Sequence, residues 1–166
     1  MTVTVDNRHG RLRVDQRAIG RQVRHVLADA GRGGAWVDVS LVSDAEIAAL
    51  NRDWRGVDGV TDVLSFALEE VAGPMAGPTW LGDVVISLDT AQRQAKRVRD
   101  VHGLARGAWR LREETLFLLT HGVLHLLGHD HATDDEASAM AALERRLLGP
   151  LAAVPFQQID RRDHAL

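Results

Sequence analysis

The sequence predicts an α+β fold in a single domain, with a small, mostly four-stranded sheet packed with about five helices. A few short segments with strand-like patterns precede a run of helical patterns, which is typical of α+β rather than doubly wound proteins. The chain has 166 residues, of which 45% are hydrophobic, and this is enough for one domain core. No repeat or linker divides it. We therefore expect one domain over residues 1–150 and a flexible C-terminal tail over residues 151–166.

The first third of the chain predicts a strand, a helix and a second strand. Val3 and Val5 alternate with polar neighbours, which indicates a strand. A helix with one apolar face is expected from about Asp15 to Ala30. The alternation in Ala35–Val42 indicates a second strand, so the chain opens with a β-α-β order.

The middle of the chain predicts a helix and two further strands. The capping-box pair in Ser43–Glu46 predicts the start of a helix that reaches about Trp54. Strands are expected at Asp62–Leu68 and Trp80–Ser87. The Gly- and Pro-rich stretch Val71–Thr79 between them predicts a mobile loop.

Three helices are expected in the remainder of the chain. A basic helix covers about Leu88–Arg99, and a long apolar helix covers about Trp109–Leu127. The last helix opens with a capping box in Thr133–Glu136 and ends at Gly149–Pro150.

Composition limits the chemistry that the chain can perform. It has no cysteine, which excludes disulfides, thiolate metal sites and cysteine nucleophiles. Any metal must therefore be held by nitrogen and oxygen ligands. No apolar run approaches the length of a membrane span and the N-terminus lacks a signal-peptide pattern, so we expect a cytoplasmic protein without membrane partners. A net charge of −3 does not exclude a local basic face.

The segment THGVLHLLGHDH at 120–131 holds four of the eight histidines. His121 and His125 are one helical turn apart, so their side chains lie on the same face and can reach one ion. Gly128 permits the left-handed backbone that ends a helix, and the following turn can return His131 to the same point. Three histidines with one open position are typical of a catalytic zinc site.

His129 is the alternative third ligand. It continues the helical stripe of His121 and His125, but its use would require an unbroken helix through Gly128, at a cost of roughly 1 kcal/mol relative to alanine. The pattern therefore favours His131.

The histidine spacing also matches the metzincin pattern H-E-x-x-H-x-x-G-x-x-H at each ligand and at the glycine. Gly122 stands where those proteases carry the glutamate that acts as general base. The sequence thus keeps a metalloprotease ligand spacing without the base for peptide hydrolysis.

The chain resembles the YbeY endoribonucleases, single-domain bacterial metalloproteins. The family pattern H-G-x-L-H-L-x-G-Y-D-H lies over His121–His131, with His129 in place of the usual tyrosine. Two further motifs agree, LNRDWRGVDGVTDVLSF at Leu50–Phe66 and LGDVVIS at Leu81–Ser87. Val60 and Ala67 stand where proline is common in the family.

The resemblance implies an α+β fold with a zincin-like metal helix and one zinc ion on His121, His125 and His131. It implies cleavage of single-stranded RNA, in maturation of the 3′ end of small-subunit ribosomal RNA and in ribosome quality control. The implied partners are ribosomal RNA precursors, the small ribosomal subunit and its assembly factors. The resemblance further implies that Arg55 is functional.

Other candidate site residues rest on position and chemistry. His129 is able to act as a general base, although the sequence identifies no definite one. Asp83 and Asp130 are candidates for orienting a ligand histidine, and the alternative role of Asp83 is to hold a loop. Thr61, Asp62 and Ser65 either line the cleft or only shape the turn and strand.

A basic segment leads into the metal helix and is a candidate for holding RNA phosphates. The alternative interpretation is an ordinary solvated helix face, because acidic residues dilute the segment. The candidate substrate-binding residues are Arg93, Arg97, Arg106 and Arg110.

Two other functions remain open from the sequence. One is a zincin-type metalloprotease or other metal-dependent hydrolase, which Gly122 disfavours. The other is a non-catalytic ribosome-assembly factor in which the metal is structural.

Overall fold

The computed structural model describes residues 3–68 and 79–149, and these residues form four strands and five helices. The predicted α+β class and the predicted order of elements are confirmed. The expected tail and most of the Gly- and Pro-rich loop lie outside the described residues. The elements are β1 (Val3–Asn7), α1 (Gln16–Asp29), β2 (Trp36–Val42), α2 (Asp44–Arg55), β3 (Val63–Ala67), β4 (Trp80–Ser87), α3 (Leu88–His102), α4 (Leu111–Leu126) and α5 (Asp134–Leu148).

Side-chain caps fix where the helices that border the site begin. The Ser43 hydroxyl accepts a hydrogen bond of 3.3 Å from the backbone N–H of Glu46 and starts α2. Thr133 and Glu136 form both bonds of a capping box at the start of α5. These polar side chains satisfy backbone donors that the first turn of a helix cannot pair internally.

The sheet has the strand order β1-β2-β4-β3. The strands β1, β2 and β4 are parallel, and β3 is antiparallel to β4 at one edge. Val84 and Ile86 of β4 belong to the main core with α1, α3 and α4, whereas Val85 belongs to a smaller core with α2 on the opposite face. Because successive side chains of β4 point to opposite faces of the sheet, this strand contributes residues to both cores.

Helix α4 runs through the centre of the main core. Every residue from Glu113 to Thr120 is buried, and the helix packs on α1, α3, α5, β3 and β4. At its start, the Trp109 indole N–H donates a 2.6 Å hydrogen bond to the Glu114 carboxylate, and both residues are fully buried. No helix within the described residues is long and apolar enough to cross a membrane.

Candidate metal centre

The C-terminal end of α4 positions the histidine segment. Gly128 has φ +95°, a conformation that disfavours residues with a Cβ atom. The backbone N–H of His129 donates to the carbonyl of Leu124, at 3.0 Å, and that of Gly128 donates to the carbonyl of His125, also at 3.0 Å. These bonds close the last turn of the helix and reverse the chain. The predicted helix end at Gly128 is confirmed.

The reversal places His131 beside the two histidines of α4. The ring centroids lie 4.7 Å apart for His121–His125, 5.4 Å for His121–His131 and 5.1 Å for His125–His131. One ring nitrogen from each residue lies within 4.8 Å of the other two. The cluster that could hold a metal ion is therefore the set favoured by the sequence pattern, and His129 is not a member of it.

Glu144 of α5 orients the first of these histidines. Its Oε1 lies 2.5 Å from Nδ1 of His121, and the residue is only 5% exposed. With the Nδ1 proton donated to the carboxylate, the Nε2 lone pair of His121 is left for a cation. That Nε2 lies 3.1 Å from Nε2 of His125. Three neutral imidazoles, one of them held in a fixed tautomer, fit a zinc ion.

The sequence interpretation did not identify Glu144, although the sequence contains a signal for it. Met140, Glu144 and Leu148 follow one another at intervals of four along α5, and all three are buried. A glutamate in the apolar stripe of a helix needs a buried partner. The pattern does not reveal that His121 is this partner, because the contact joins different helices.

The interpretation of Asp83 as a residue that orients a histidine needs correction. Val84 faces α4 in the main core, so Asp83, its neighbour on β4, points to the opposite face of the sheet. There it is opposite Asp38 in the β2–β4 register. Burial raises the pKa of Asp83, Asp38 raises it further and Arg8 lowers it. These are the surroundings of a carboxylate on the other side of the sheet.

Asp130 lies at the histidine cluster. Its Oδ1 accepts a 2.8 Å hydrogen bond from the backbone N–H of His131, so it shapes the turn that carries the third histidine. Its negative charge also acts to raise the pKa of His125.

Burial is the largest influence on His125. It lowers the pKa of this imidazole to about 4, with further lowering by His121 and His131. The side chain is therefore neutral near pH 7 and presents a lone pair rather than a proton.

The three histidines line an open cleft of about 920 Å³. Its opposite wall comes from the end of α2 and from β3 with the turn that precedes it. The cleft brings the candidate residues Arg55, His129 and Asp130 together with the three histidines. The polar and charged residues that line it are Arg55, Thr61, Asp62, Ser65, His121, His125, His129, Asp130 and His131.

Arg55 reaches the cleft from the far face of the sheet. It is the last residue of α2, and its guanidinium lies 5.1 Å from the ring centroid of Phe66. A terminal nitrogen of the guanidinium also donates to the backbone carbonyl of Ser65. Contact with an aromatic ring and with a carbonyl restrains the orientation of the guanidinium at the rim of the cleft.

Gly122 lacks the side chain of a catalytic base, and it also allows α4 to pack closely against the sheet. A Cβ atom at this position would lie 2.7 Å from Cγ1 of Val84 and 3.1 Å from Oγ of Ser65. The Ser65 hydroxyl donates a 2.9 Å hydrogen bond to the Gly122 carbonyl. A glutamate at this position would require α4 to move away from the sheet.

The four basic candidates are not among the described residues that line the cleft. Arg93 forms a 2.9 Å ion pair with Asp44, and Arg110 forms a 3.0 Å ion pair with Glu113. Arg106 and Arg110 line a smaller hollow of about 450 Å³ near the start of α4. Arg97 is half-buried on α3. The basic segment is thus separate from the histidine cleft.

The fold and cleft define a small α+β protein with a histidine site that could hold a metal ion. The family model described as endoribonuclease YbeY matches residues 4–152. The chain therefore belongs to the endoribonuclease YbeY family, and this membership supports an RNA-cleaving hydrolase.

Individual relatives agree with this assignment. The chain is 44% identical over 158 residues to the endoribonuclease YbeY of Pelotomaculum thermopropionicum, with 91% of this chain and 97% of the relative covered. Identity to the Anaeromyxobacter sp. Fw109-5 protein of the same name is 44%, covering 89% and 70%. Identity to the Myxococcus xanthus protein of that name is 45%, covering 89% of this chain. The chain spans 47% of that longer relative.

The fold is also similar to the solution structure of TM1509 from Thermotoga maritima. The TM-score is 0.56, with 96% of this chain and 97% of the other covered. Because the sequences are only 21% identical, this comparison supports the fold alone.

The contact between Glu144 and His121 predicts a loss of metal affinity in Glu144→Gln. The amide can still accept from Nδ1–H but carries no charge, so we expect zinc affinity to fall by about 10- to 100-fold. Competition with a chromogenic chelator measures the affinity. Asp135→Asn, an exposed change on the same helix, is the matched control and should bind like the wild type. Equal affinity in all three proteins would contradict an orienting role for Glu144.

The lowered pKa of His125 predicts that metal-free protein loses stability in acid. The pKa of His125 is about 4 in the folded state and near its ordinary value of 6.5 in the unfolded chain. Unfolding between these two pH values therefore takes up a proton. This contribution is complete above pH 6.5 and is lost as pH falls towards 4. It changes the free energy of unfolding by at most about 1.4 kcal/mol per pH unit.

Urea denaturation of chelator-treated protein, at several pH values between about 4.5 and about 7, measures this effect. His125→Gln should lose less stability on acidification than the wild type. Identical pH dependence in the two proteins would be inconsistent with a depressed pKa at His125.

Proposed function

We propose that this protein is a zinc-dependent endoribonuclease that cleaves single-stranded RNA. We further propose that it acts in the cytoplasm, in maturation of the 3′ end of small-subunit ribosomal RNA and in ribosome quality control. The observation that carries the proposal is that Arg55 and the three histidines share one open cleft. Family membership supports RNA as the substrate, with the small subunit and its assembly factors as the proposed partners.

In this proposal, His121, His125 and His131 hold one zinc ion, and Glu144 keeps His121 in the binding tautomer. A zinc ion held there would supply Lewis-acid chemistry, either by polarising a phosphate oxygen or by activating a water molecule. Arg55 binds the phosphate whose charge rises during cleavage, since a guanidinium presents paired donors to two phosphate oxygens.

His129 is the proposed general base. It is exposed and lines the same cleft, but it leaves the helical stripe at Gly128, so it is available to a bound substrate rather than to the metal cluster. Its imidazole is of the type most often used for proton transfer.

The basic segment is proposed as a more distant contact for RNA. His121 follows Leu111 by ten residues on α4, which corresponds to about 15 Å along a helix. The hollow with Arg106 and Arg110 is therefore several nucleotides away from the cleft along an extended strand. Arg93 and Arg97 would extend this contact along α3.

The protease alternative is disfavoured by the packing of Gly122. The position that carries the base in zincin proteases is occupied here by the contact between α4 and the sheet. An assembly factor with a structural metal remains the second alternative, and it predicts RNA binding without cleavage.

Cleavage assays with and without metal test the proposal. Purified protein should cleave unstructured RNA, lose this activity with a chelator and regain it with added zinc. A generic peptide should not be cleaved, since the site lacks the glutamate base. Zinc-dependent cleavage of the peptide instead would support the zincin alternative, and RNA binding without cleavage would support the assembly factor.

The position of Arg55 predicts a large loss of cleavage in Arg55→Ala. Removing one preorganised donor costs about 2 to 4 kcal/mol in the transition state, or about thirty- to thousand-fold in rate. Arg55→Lys should recover only part of the activity, because lysine keeps the charge but not the paired donors. Cleavage rate, zinc content and melting temperature are measured for each protein.

Arg52→Ala is the control, since Arg52 is exposed on the same helix and pairs with Asp53. It should cleave RNA at close to the wild-type rate. Unchanged cleavage in Arg55→Ala would remove Arg55 from the mechanism. Loss of zinc or a large fall in melting temperature in that variant would make its role structural.

A further inference from the structure

We propose that Trp54 is a stacking platform for one unpaired base of RNA bound in the cleft. This inference rests on the proposed function and adds a residue that recognises the substrate. It is carried by the exposure of the indole and by its position beside Arg55.

Trp54 is 70% exposed, more than the other large hydrophobic residues that the structure describes as exposed. Leu50, one turn earlier on α2, packs against the smaller core, but Trp54 lies beyond the edge of that core. Burying an aromatic side chain normally stabilises a fold, and Trp54 contributes little in this way because most of its surface is in solvent. Such an exposed indole is suited to contact with a ligand.

The indole is joined to the cleft through Phe66. The rings of Trp54 and Phe66 meet edge to face, with centroids 6.5 Å apart and an interplanar angle of 66°. The same Phe66 ring supports the guanidinium of Arg55 at 5.1 Å. One ring of β3 thus fixes both the exposed indole and the arginine that lines the cleft.

This arrangement matches the alternation of phosphates and bases along an RNA strand. When Arg55 holds a phosphate, the base of an adjoining nucleotide lies within reach of the neighbouring residue in the chain. Every base has a π face, so stacking on Trp54 is tolerant of sequence. Bases in a duplex already stack on one another, so the platform favours single strands.

The surroundings of Trp54 favour a nucleobase over an apolar protein surface. Arg52, Asp53 and Arg55 are exposed charged residues next to Trp54 in the chain, and burying such charges against an apolar protein surface would cost free energy. Aromatic side chains and arginines are used together in sites that bind single-stranded nucleic acid.

The test measures binding of zinc-loaded protein to 2′-O-methyl oligonucleotides of roughly ten nucleotides, within the usual range of single-strand sites. One abasic nucleotide is moved along the strand in a series. For the wild type, the abasic change should weaken binding by about 5- to 100-fold at one position. Trp54→Leu should bind the intact strand more weakly by a similar factor and lose the sensitivity at that position.

Two further variants serve as controls. Trp54→Phe keeps an aromatic face and should retain most of the affinity and the abasic profile. Trp36→Leu removes another exposed tryptophan, one that lies on β2 and not next to Arg55, and should behave like the wild type. Circular dichroism and zinc content verify that each variant is folded and loaded.

The outcomes separate this inference from the proposed function. If the wild type cleaves unmodified RNA but Trp54→Leu binds every strand like the wild type, stacking is overturned and the nuclease assignment stands. An equal loss with intact and abasic strands would also overturn stacking, since it would not depend on the base. If the wild type neither binds nor cleaves RNA, the proposed function and this inference both fail.

Discussion

The close approach of α4 to strands β3 and β4 at Gly122 is the constraint on which the site depends. The helix lies so near the sheet that a single methyl group at this position would meet Val84 at 2.7 Å. The Ser65 hydroxyl bonds the Gly122 carbonyl from the strand side. His121 is the adjacent residue, so the first metal-binding candidate is fixed relative to β3 by packing and by a hydrogen bond.

The edge strand β3 transmits this constraint to the opposite wall of the cleft. Ser65 contacts α4 with its side chain and receives the Arg55 guanidinium at its backbone carbonyl. Phe66, the next residue, supports the guanidinium and the indole of Trp54. Helix α2 packs on one face of the sheet and α4 on the other, and the alternating side chains of β3 contact both. The distance between the arginine and the histidines is therefore set by β3 rather than by a flexible loop.

The sequence was sufficient for features that depend on local periodicity and caps. The strand alternation, the Thr133 capping box and the helix end at Gly128 are local, so they predicted the elements and the set of three histidines. The sequence interpretation considered Asp83 for the histidine site, although Val84 and Ile86 on the core face already indicated that Asp83 points to the opposite face. The link from Glu144 to His121 could not be predicted, since it joins helices whose packing no local pattern specifies. The same holds for the ion pair of Arg93 with Asp44, whereas Arg110 and Glu113 are only three residues apart and form a local pair.

The packing at Gly122 also constrains the chemistry of the cleft. In a zincin protease the base lies on the metal helix, next to the first ligand, but in this protein that position is closed by Val84 and Ser65. A base at this position of α4 is therefore excluded by packing. Among the described residues that line the cleft, Arg55 is the arginine and His129 is the histidine outside the cluster of three. A cation opposite the histidine cluster favours an anionic substrate such as a phosphodiester over a neutral peptide bond.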